Sequence, residues 1–384
     1  MTRAMFTMLA AETKKLQQAG LYKPERVRAG DGILDFTTQD YLGLAGDERL
    51  RTAAQTALTE IGLGAGASRS FTGTLAIHHQ LEQALARFLG LPDAVVFGSG
   101  YLANLALYEA LFDSRDYLFC DALVHPSTAA GVRLSSATAY PFRNNDIADL
   151  EDKLKRSRAA RFRAVVTDGV FAFDGAIAAL PGICELAERY EALVIVDDSL
   201  GLGVLGDTGR GTREACGVMN RVDVVTGSFS KLLGGAGGGY VAGRKEIIDW
   251  LRQKATPYMM STALPPPLAA AARAAIDILD TGQAPLDKLR AHTAVMKKEL
   301  ELRGFKVLGG EHPTLAVFVG GVVALQKMVN SLYERGVHVN GLCYPVVPEG
   351  QARIRLELSA RHAEQDIGRA INAFELAGRA EGVI

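Results

Sequence analysis

Short apolar or β-branched runs recur along the middle of the chain, at Asp93–Phe97, Asp116–Cys120, Arg163–Thr167, Leu193–Val196, Val222–Thr226 and Gly239–Ala242. Runs of this length predict buried strands. Between them the apolar spacing lengthens to that of a helix. Ile77, Leu81, Leu85 and Phe88 fall on one stripe of a helix predicted over Ile77–Phe88, and Leu150–Arg158 and Pro181–Tyr190 behave similarly. Strands alternating with helices predict an α/β fold around a mostly parallel sheet. After about residue 270 the pattern changes to long helices, Leu268–Leu279 and Leu286–Arg303, followed by sparse strands around Thr314–Phe318 and Arg353–Leu358. The expected organisation is an N-terminal helix and arm (1–45), a large domain (46–270) and a smaller α+β C-terminal domain (271–384).

Composition narrows the function classes. With 48% apolar and 22% charged residues in 384, disorder, coiled coil and collagen are excluded. The 42 basic and 43 acidic residues leave a net charge of −1, so nothing draws the chain toward nucleic acid or an anionic membrane. No segment approaches the roughly 18 apolar residues that a spanning helix needs. Small molecules are the expected partners. Cys120, Cys184, Cys216 and Cys343 lie far apart and form no pattern with metal-ligand spacing, which predicts reduced thiols and no metal. The N-terminal MTRAMFTMLAAETKKL lacks a long apolar region with a cleavage site, so the expected location is the cytoplasm.

The compositional oddity is glycine, 41 residues, concentrated in two places. Gly201-Leu202-Gly203-Val204-Leu205-Gly206 follows a predicted strand and satisfies the dinucleotide-binding pattern in form. That pattern should open a helix, yet Gly209 and Gly211 follow at once, which argues against one. The second cluster, Gly234–Gly239, follows Thr226-Gly227-Ser228-Phe229-Ser230-Lys231. A nucleotide-triphosphate loop would place Lys-Ser/Thr after its last glycine, where Tyr240-Val241 stands. What remains is a lysine beside hydroxyl residues at a strand end, a setting for a Schiff base with Thr226 and Ser228 near a phosphate.

Two other strand ends strengthen this reading. Leu193–Val196 runs into Asp197-Asp198, and a carboxylate at the end of an apolar strand needs a cationic partner. A pyridinium nitrogen is one candidate, and Arg210 is the plainer one. Asp93–Phe97 runs into Gly98-Ser99-Gly100-Tyr101 and a helix predicted over Leu102–Leu111, whose free N–H groups suit a phosphate. Lysine, aspartate and anion nest together describe a pocket for pyridoxal 5′-phosphate.

At these residues the chain resembles the α-oxoamine synthases, a branch of the fold-type-I pyridoxal phosphate enzymes (aspartate aminotransferase-like). The likeness runs nearly end to end, through YLGLA at 41–45, GTLAIHHQLE at 73–82, DALVHPSTAAGVRLS at 121–135, TDGVFAFDG at 167–175, DDSLGLGVLGDTGRG at 197–211, TGSFSKLLGGAGGGY at 226–240 and YPVVPEGQARIRLELSA at 344–360. The resemblance implies that Lys231 is the Schiff-base lysine and that Asp197 partners the pyridine nitrogen. It implies that His125 stacks on the cofactor ring, and that Gly100, Tyr101, Thr226 and Ser228 hold the phosphate. Thr262 would reach the phosphate of a neighbouring subunit, which implies a homodimer with shared active sites. Arg355 would bind the substrate carboxylate, with Gln39 nearby; Arg353 reads as a rim salt bridge. The implied reaction condenses a small, glycine-like amino acid with an acyl-CoA through a Cα carbanion.

Two departures bear on that reaction. Leu200 stands where the family has a histidine, and Ala172 where it has a serine, and both family residues serve the cofactor's phenolic oxygen. Gln39 replaces a preferred asparagine. The loss of both donors keeps a second expectation open, an enzyme of the same fold that racemises, decarboxylates or cleaves at Cα without acyl transfer. A dehydrogenase built on Gly201–Gly206, or a cofactor-free interaction protein, is the remaining alternative.

Overall fold

The six apolar runs of the sequence are strands of one seven-stranded sheet, β2 (Asp93–Phe97), β3 (Tyr117–Asp121), β5 (Arg163–Asp168), β6 (Leu193–Asp197), β7 (Val224–Ser228) and β8 (Gly239–Gly243), and the seventh strand is β4 (Thr138–Phe142). The computed structural model describes residues 2–18, 22, 32–157 and 160–384. Strand order is β2-β8-β7-β6-β5-β3-β4. The pairs from β7 through β4 are parallel, and β8 runs antiparallel to both of its neighbours.

The continuous apolar runs follow from burial on two sides. Val165, Val194, Val196 and Val225 enter one hydrophobic core, while Ala164, Val166, Ile195 and Val224 enter the other. Successive side chains of a strand point to opposite faces, so a sheet covered on both must be apolar at every position. β4 was not among the predicted runs. It is an edge strand and contains Pro141, and only Phe142 of its five residues is buried.

Helices cover both faces. The stripe predicted over Ile77–Phe88 is the helix Ala76–Leu89, closed by Gly90 at φ 64°. Those predicted at Leu150–Arg158 and Pro181–Tyr190 are Ile147–Lys155 and Leu180–Arg189; Arg158 lies outside the described residues. Helix Pro266–Asp280 packs on Glu48–Glu60 and Ala76–Leu89. Beyond it, β9 (Val307–Leu308), β10 (Thr314–Gly320), β12 (Asn340–Leu342) and β13 (Ala352–Glu357) form an antiparallel sheet of order β12-β13-β10-β9, while β1 (Leu34–Asp35) pairs with β11 (Val337–His338). Contacts separate Met1–Ile33 from Leu34–Ile384. The first unit holds the helix Thr2–Gln18; of the expected arm, 19–21 and 23–31 lie outside the described residues.

The loop after β6 opens no long helix. Gly203, Gly206, Gly209 and Gly211 all take positive φ, and the next helix is the single turn Thr212–Ala215. The segment wraps the Asp198 carboxylate, which accepts from Thr212 N at 2.9 Å and Thr212 Oγ1 at 2.5 Å. Its glycines serve backbone closure, which removes the structural basis for a dinucleotide site there.

Candidate active site at the strand ends

The parallel strands β5, β6 and β7 deliver Asp168, Asp197 and Ser228 to one edge of the sheet, where a cavity of about 510 Å³ opens. Carboxyl ends of parallel strands are where open α/β sheets form ligand crevices. Lys231 ends the 3₁₀ turn Phe229–Lys231, which Ser228 caps by accepting from Ser230 N. Its Nζ donates to Gln39 Oε1. Burial holds the Lys231 amine below the usual lysine range, and the negative charge of Glu357 opposes that shift.

Asp197 Oδ1 accepts from Ser199 N at 3.0 Å and Ser199 Oγ at 2.6 Å, and Oδ2 accepts from Asn104 Nδ2 at 2.7 Å. The alternative partner, Arg210, turns elsewhere, donating to Phe88 O at 2.8 Å. Asn104 Nδ2 also donates to Ser127 Oγ at 2.9 Å, and that hydroxyl lies 2.6 Å from His125 Nδ1. With its lone pairs facing Asn104, the Ser127 hydroxyl donates to His125 Nδ1, as does Ser127 N. Nδ1 is thereby an acceptor, which assigns the ring proton to Nε2. Burial lowers the pKa of His125, which favours the neutral ring. Asp197 and His125 are thus coupled through two neutral side chains that sequence reading did not single out.

At the anion end, the helix Gly100–Leu111 begins at the cavity wall, with Ser99 Oγ accepting from Leu102 N at 3.2 Å. A Cβ on Gly100 would stand 2.8 Å from Ser228 Cβ, so glycine lets the helix start this close to β7. Tyr101 and Ser228 line the cavity. Thr226 does not; it is fully buried inside β7, and its Oγ1 has no hydrogen-bond partner among the described residues. Thr262 is exposed, bridges Ser68 and is not among the residues lining the cavity.

Arg355, on β13, lines the cavity and donates from Nη1 to Ala172 O at 3.1 Å. Arg353, two residues earlier, turns to Asp174 at 3.4 Å. Leu200 and Ala172 both line the cavity, so neither position offers a side-chain donor. Ser199, a possible replacement, gives its hydroxyl proton to Asp197. Two carboxyl groups also escaped the sequence reading. Asp168 pairs in register with Asp197, its Oδ2 accepts from His125 N at 3.0 Å, and burial together with the Asp197 charge raises its pKa well above the ordinary value. The rule that found Asp197, an apolar strand running into a carboxylate, also points to Asp168. The other is Glu357, fully buried beside Arg355.

Comparison with known proteins agrees with this geometry. Residues 31–374 match the family described as aminotransferase class I and II. The chain is 41% identical to the 2-amino-3-ketobutyrate coenzyme A ligase of Salmonella typhimurium over 99% of its own length and 98% of that protein's. It is 39% identical to the 8-amino-7-oxononanoate synthase of Thermosipho melanesiensis over 99% of both. Serine palmitoyltransferase from Sphingomonas wittichii superposes with a TM-score of 0.92 at 31% identity, covering 99% of this chain and 98% of that one. A family match of this extent and relatives alike from end to end leave one conclusion: the chain belongs to the aminotransferase class I and II family, in its α-oxoamine synthase branch.

Proposed function

We propose that the protein is a pyridoxal phosphate-dependent C-acyltransferase that joins a small, glycine-like amino acid to the acyl group of an acyl-CoA. The observation that carries this is one cavity holding a buried lysine amine, a hydrogen-bonded aspartate and the open start of a helix. These fit the cofactor. Lys231 would hold it covalently through Nζ, Asp197 would accept from its ring nitrogen, and His125 would lie against the ring. The N–H groups of Gly100 and Tyr101, with Ser228, would face the phosphate. Thr226 belongs to the second layer behind them, and Thr262 would serve the cavity of a second copy in a homodimer. When bound, pyridoxal phosphate supplies an electrophilic carbonyl for an amine and an electron-withdrawing ring for a carbanion at Cα.

The chain's own groups do the rest. Arg355 holds the substrate carboxylate through its Nη atoms. Lys231 Nζ, held below the usual lysine range by burial, moves the Cα proton. The Asn104 bridge keeps Asp197 aimed at the ring position. Cα then bonds to the acyl carbon, the C–S bond breaks and the thiol leaves. The names of the relatives, a 2-amino-3-ketobutyrate coenzyme A ligase, an 8-amino-7-oxononanoate synthase and a serine palmitoyltransferase, support this reading. Among the described residues no helix is long and apolar enough to cross a membrane; cytoplasmic placement is part of the proposal.

The absence of a donor at Leu200 and Ala172 favours the second reading, Cα chemistry without acyl transfer. One experiment addresses both. Wild-type protein should carry a yellow, borohydride-reducible chromophore that Lys231→Ala abolishes, with activity falling on the order of 10⁴-fold. Glycine plus an acyl-CoA should release free thiol. No bound cofactor would defeat the proposal, and inversion of alanine or serine without thiol release would establish the second reading.

A further inference from the structure

Glu357 is fully buried and lies behind the position assigned to the substrate's carboxylate. Its Oε2 accepts from Tyr41 OH at 2.9 Å and Thr314 Oγ1 at 2.6 Å. Its Oε1 stands 3.0 Å from Arg355 Nε, yet neither atom has a hydrogen-bond partner among the described residues. The two charges are therefore close but out of line. Arg355 is anchored instead by its Nη1 bond to Ala172 O, and it leaves further Nη donors to the cavity.

We propose that Glu357 is a specificity-determining residue, a built-in counter-charge that tempers the hold of Arg355 on the carboxylate of the incoming amino acid. The inference rests on the assignment of Arg355 in the proposed function. A carboxylate arriving at Arg355 brings a second negative charge to a guanidinium already paired inside the protein, where water screens little. The site thus binds amino acids more weakly than an unpaired arginine would, while ligands lacking a carboxylate are indifferent. The charged and titratable groups facing Glu357 are Arg355 from its own strand, Tyr41 from the loop before Leu44–Gly46 and Lys231 from the turn after β7. Burial raises the pKa of Glu357 above its ordinary 4.5. The neutral form is therefore favoured as pH falls, and the counter-charge weakens with it.

The test is direct binding of glycine and of ethylamine to holoenzyme by calorimetry, in wild type and Glu357→Gln. Glutamine is isosteric and can turn its amide oxygen to Arg355 and its NH₂ to the two hydroxyl oxygens. We expect Glu357→Gln to tighten glycine about tenfold and to change ethylamine by less than about twofold. A loosened pocket would shift both ligands together and would overturn the proposal, as would unchanged glycine affinity. Should the variant fail to fold, wild type decides alone. Its glycine-to-ethylamine affinity ratio should fall as pH rises through the titration of Glu357, and a flat ratio overturns the proposal. Wild-type holoenzyme that binds ethylamine but no glycine would instead overturn the assignment of Arg355 itself.

Discussion

Around Asp198 the glycines of 201–211 close on a carboxylate sealed inside the protein, whereas Gly235, Gly237 and Gly238 border the cavity that contains Lys231. A Cβ on Gly201 would collide with Asp198 Oδ1, and one on Gly211 with Asp198 Oδ2. Gly235, by contrast, has open space where its side chain would be, and a Cβ on Gly237 would meet Gly98 O at 3.2 Å and Leu268 Cδ1 at 3.6 Å. Both segments follow a strand end, and both invite a phosphate-loop reading that the residues after them argue against. The difference teaches that glycine marks close approach of backbone to something, and that the something is set by what lies opposite: a protein carboxylate in one case, a ligand-sized space in the other.

The adjacent acids Asp197 and Asp198 show the same contrast at single-residue scale. Asp197 keeps its oxygens at the cavity and accepts from Asn104 and Ser199, while Asp198 is enclosed by Thr212 and the surrounding glycines. Burial pushes the Asp198 carboxyl up to about 6 from its ordinary 3.8.

The comparison breaks if the two glycine segments respond alike to a methyl group. Gly201→Ala should cost about 3 kcal/mol or more of stability in urea unfolding, because two buried oxygens must move. Gly237→Ala should cost less than about 1 kcal/mol and act instead on cofactor affinity, read by absorbance titration. A smaller effect sharpens the role of Asp198. Because its pKa is raised in the folded state, the unfolded chain gives up the proton first as pH rises. The stability that Asp198 contributes is therefore present below pH 3.8 and is lost as pH rises to about 6. Relative to Asp198→Asn, wild type should lose roughly 2–3 kcal/mol across that window, measured by unfolding at each pH. Smallest in energy is Leu200→His, which places a donor at the cavity wall. It should shift the absorption band of the bound cofactor while changing stability by less than about 1 kcal/mol. An unchanged band would mean that position 200 does not act on the cofactor.

Much of this was legible in the chain. The inner strands declared themselves because burial on both faces forbids polar residues along them, and the helix stripes followed the 3.6-residue period. β4 was hidden because an edge strand tolerates polar residues and a proline, leaving no apolar run to detect. Lys231 and Asp197 were found because each stands where a strand gives out and a polar side chain must have a reason to be there. Asn104 and Ser127 gave no such signal. Each sits in or at the start of an ordinary helix, and only the meeting of Gly100–Leu111 with Pro126–Leu134 joins them to Asp197. Glu357 was masked in the same way, as one polar position of an alternating strand.

The sequence by itself determined the class of fold, the order of its elements and the residue types gathered at the strand ends, because these depend on periodicity and on local chain chemistry. Which glycine segment borders a ligand-sized space was decided by the tertiary structure. So were the tautomer of His125, the route from His125 to Asp197 and the pairing of Arg355 with a buried glutamate. All of these depend on side chains tens to hundreds of residues apart arriving within hydrogen-bond distance, where burial removes the water that would otherwise satisfy or screen them.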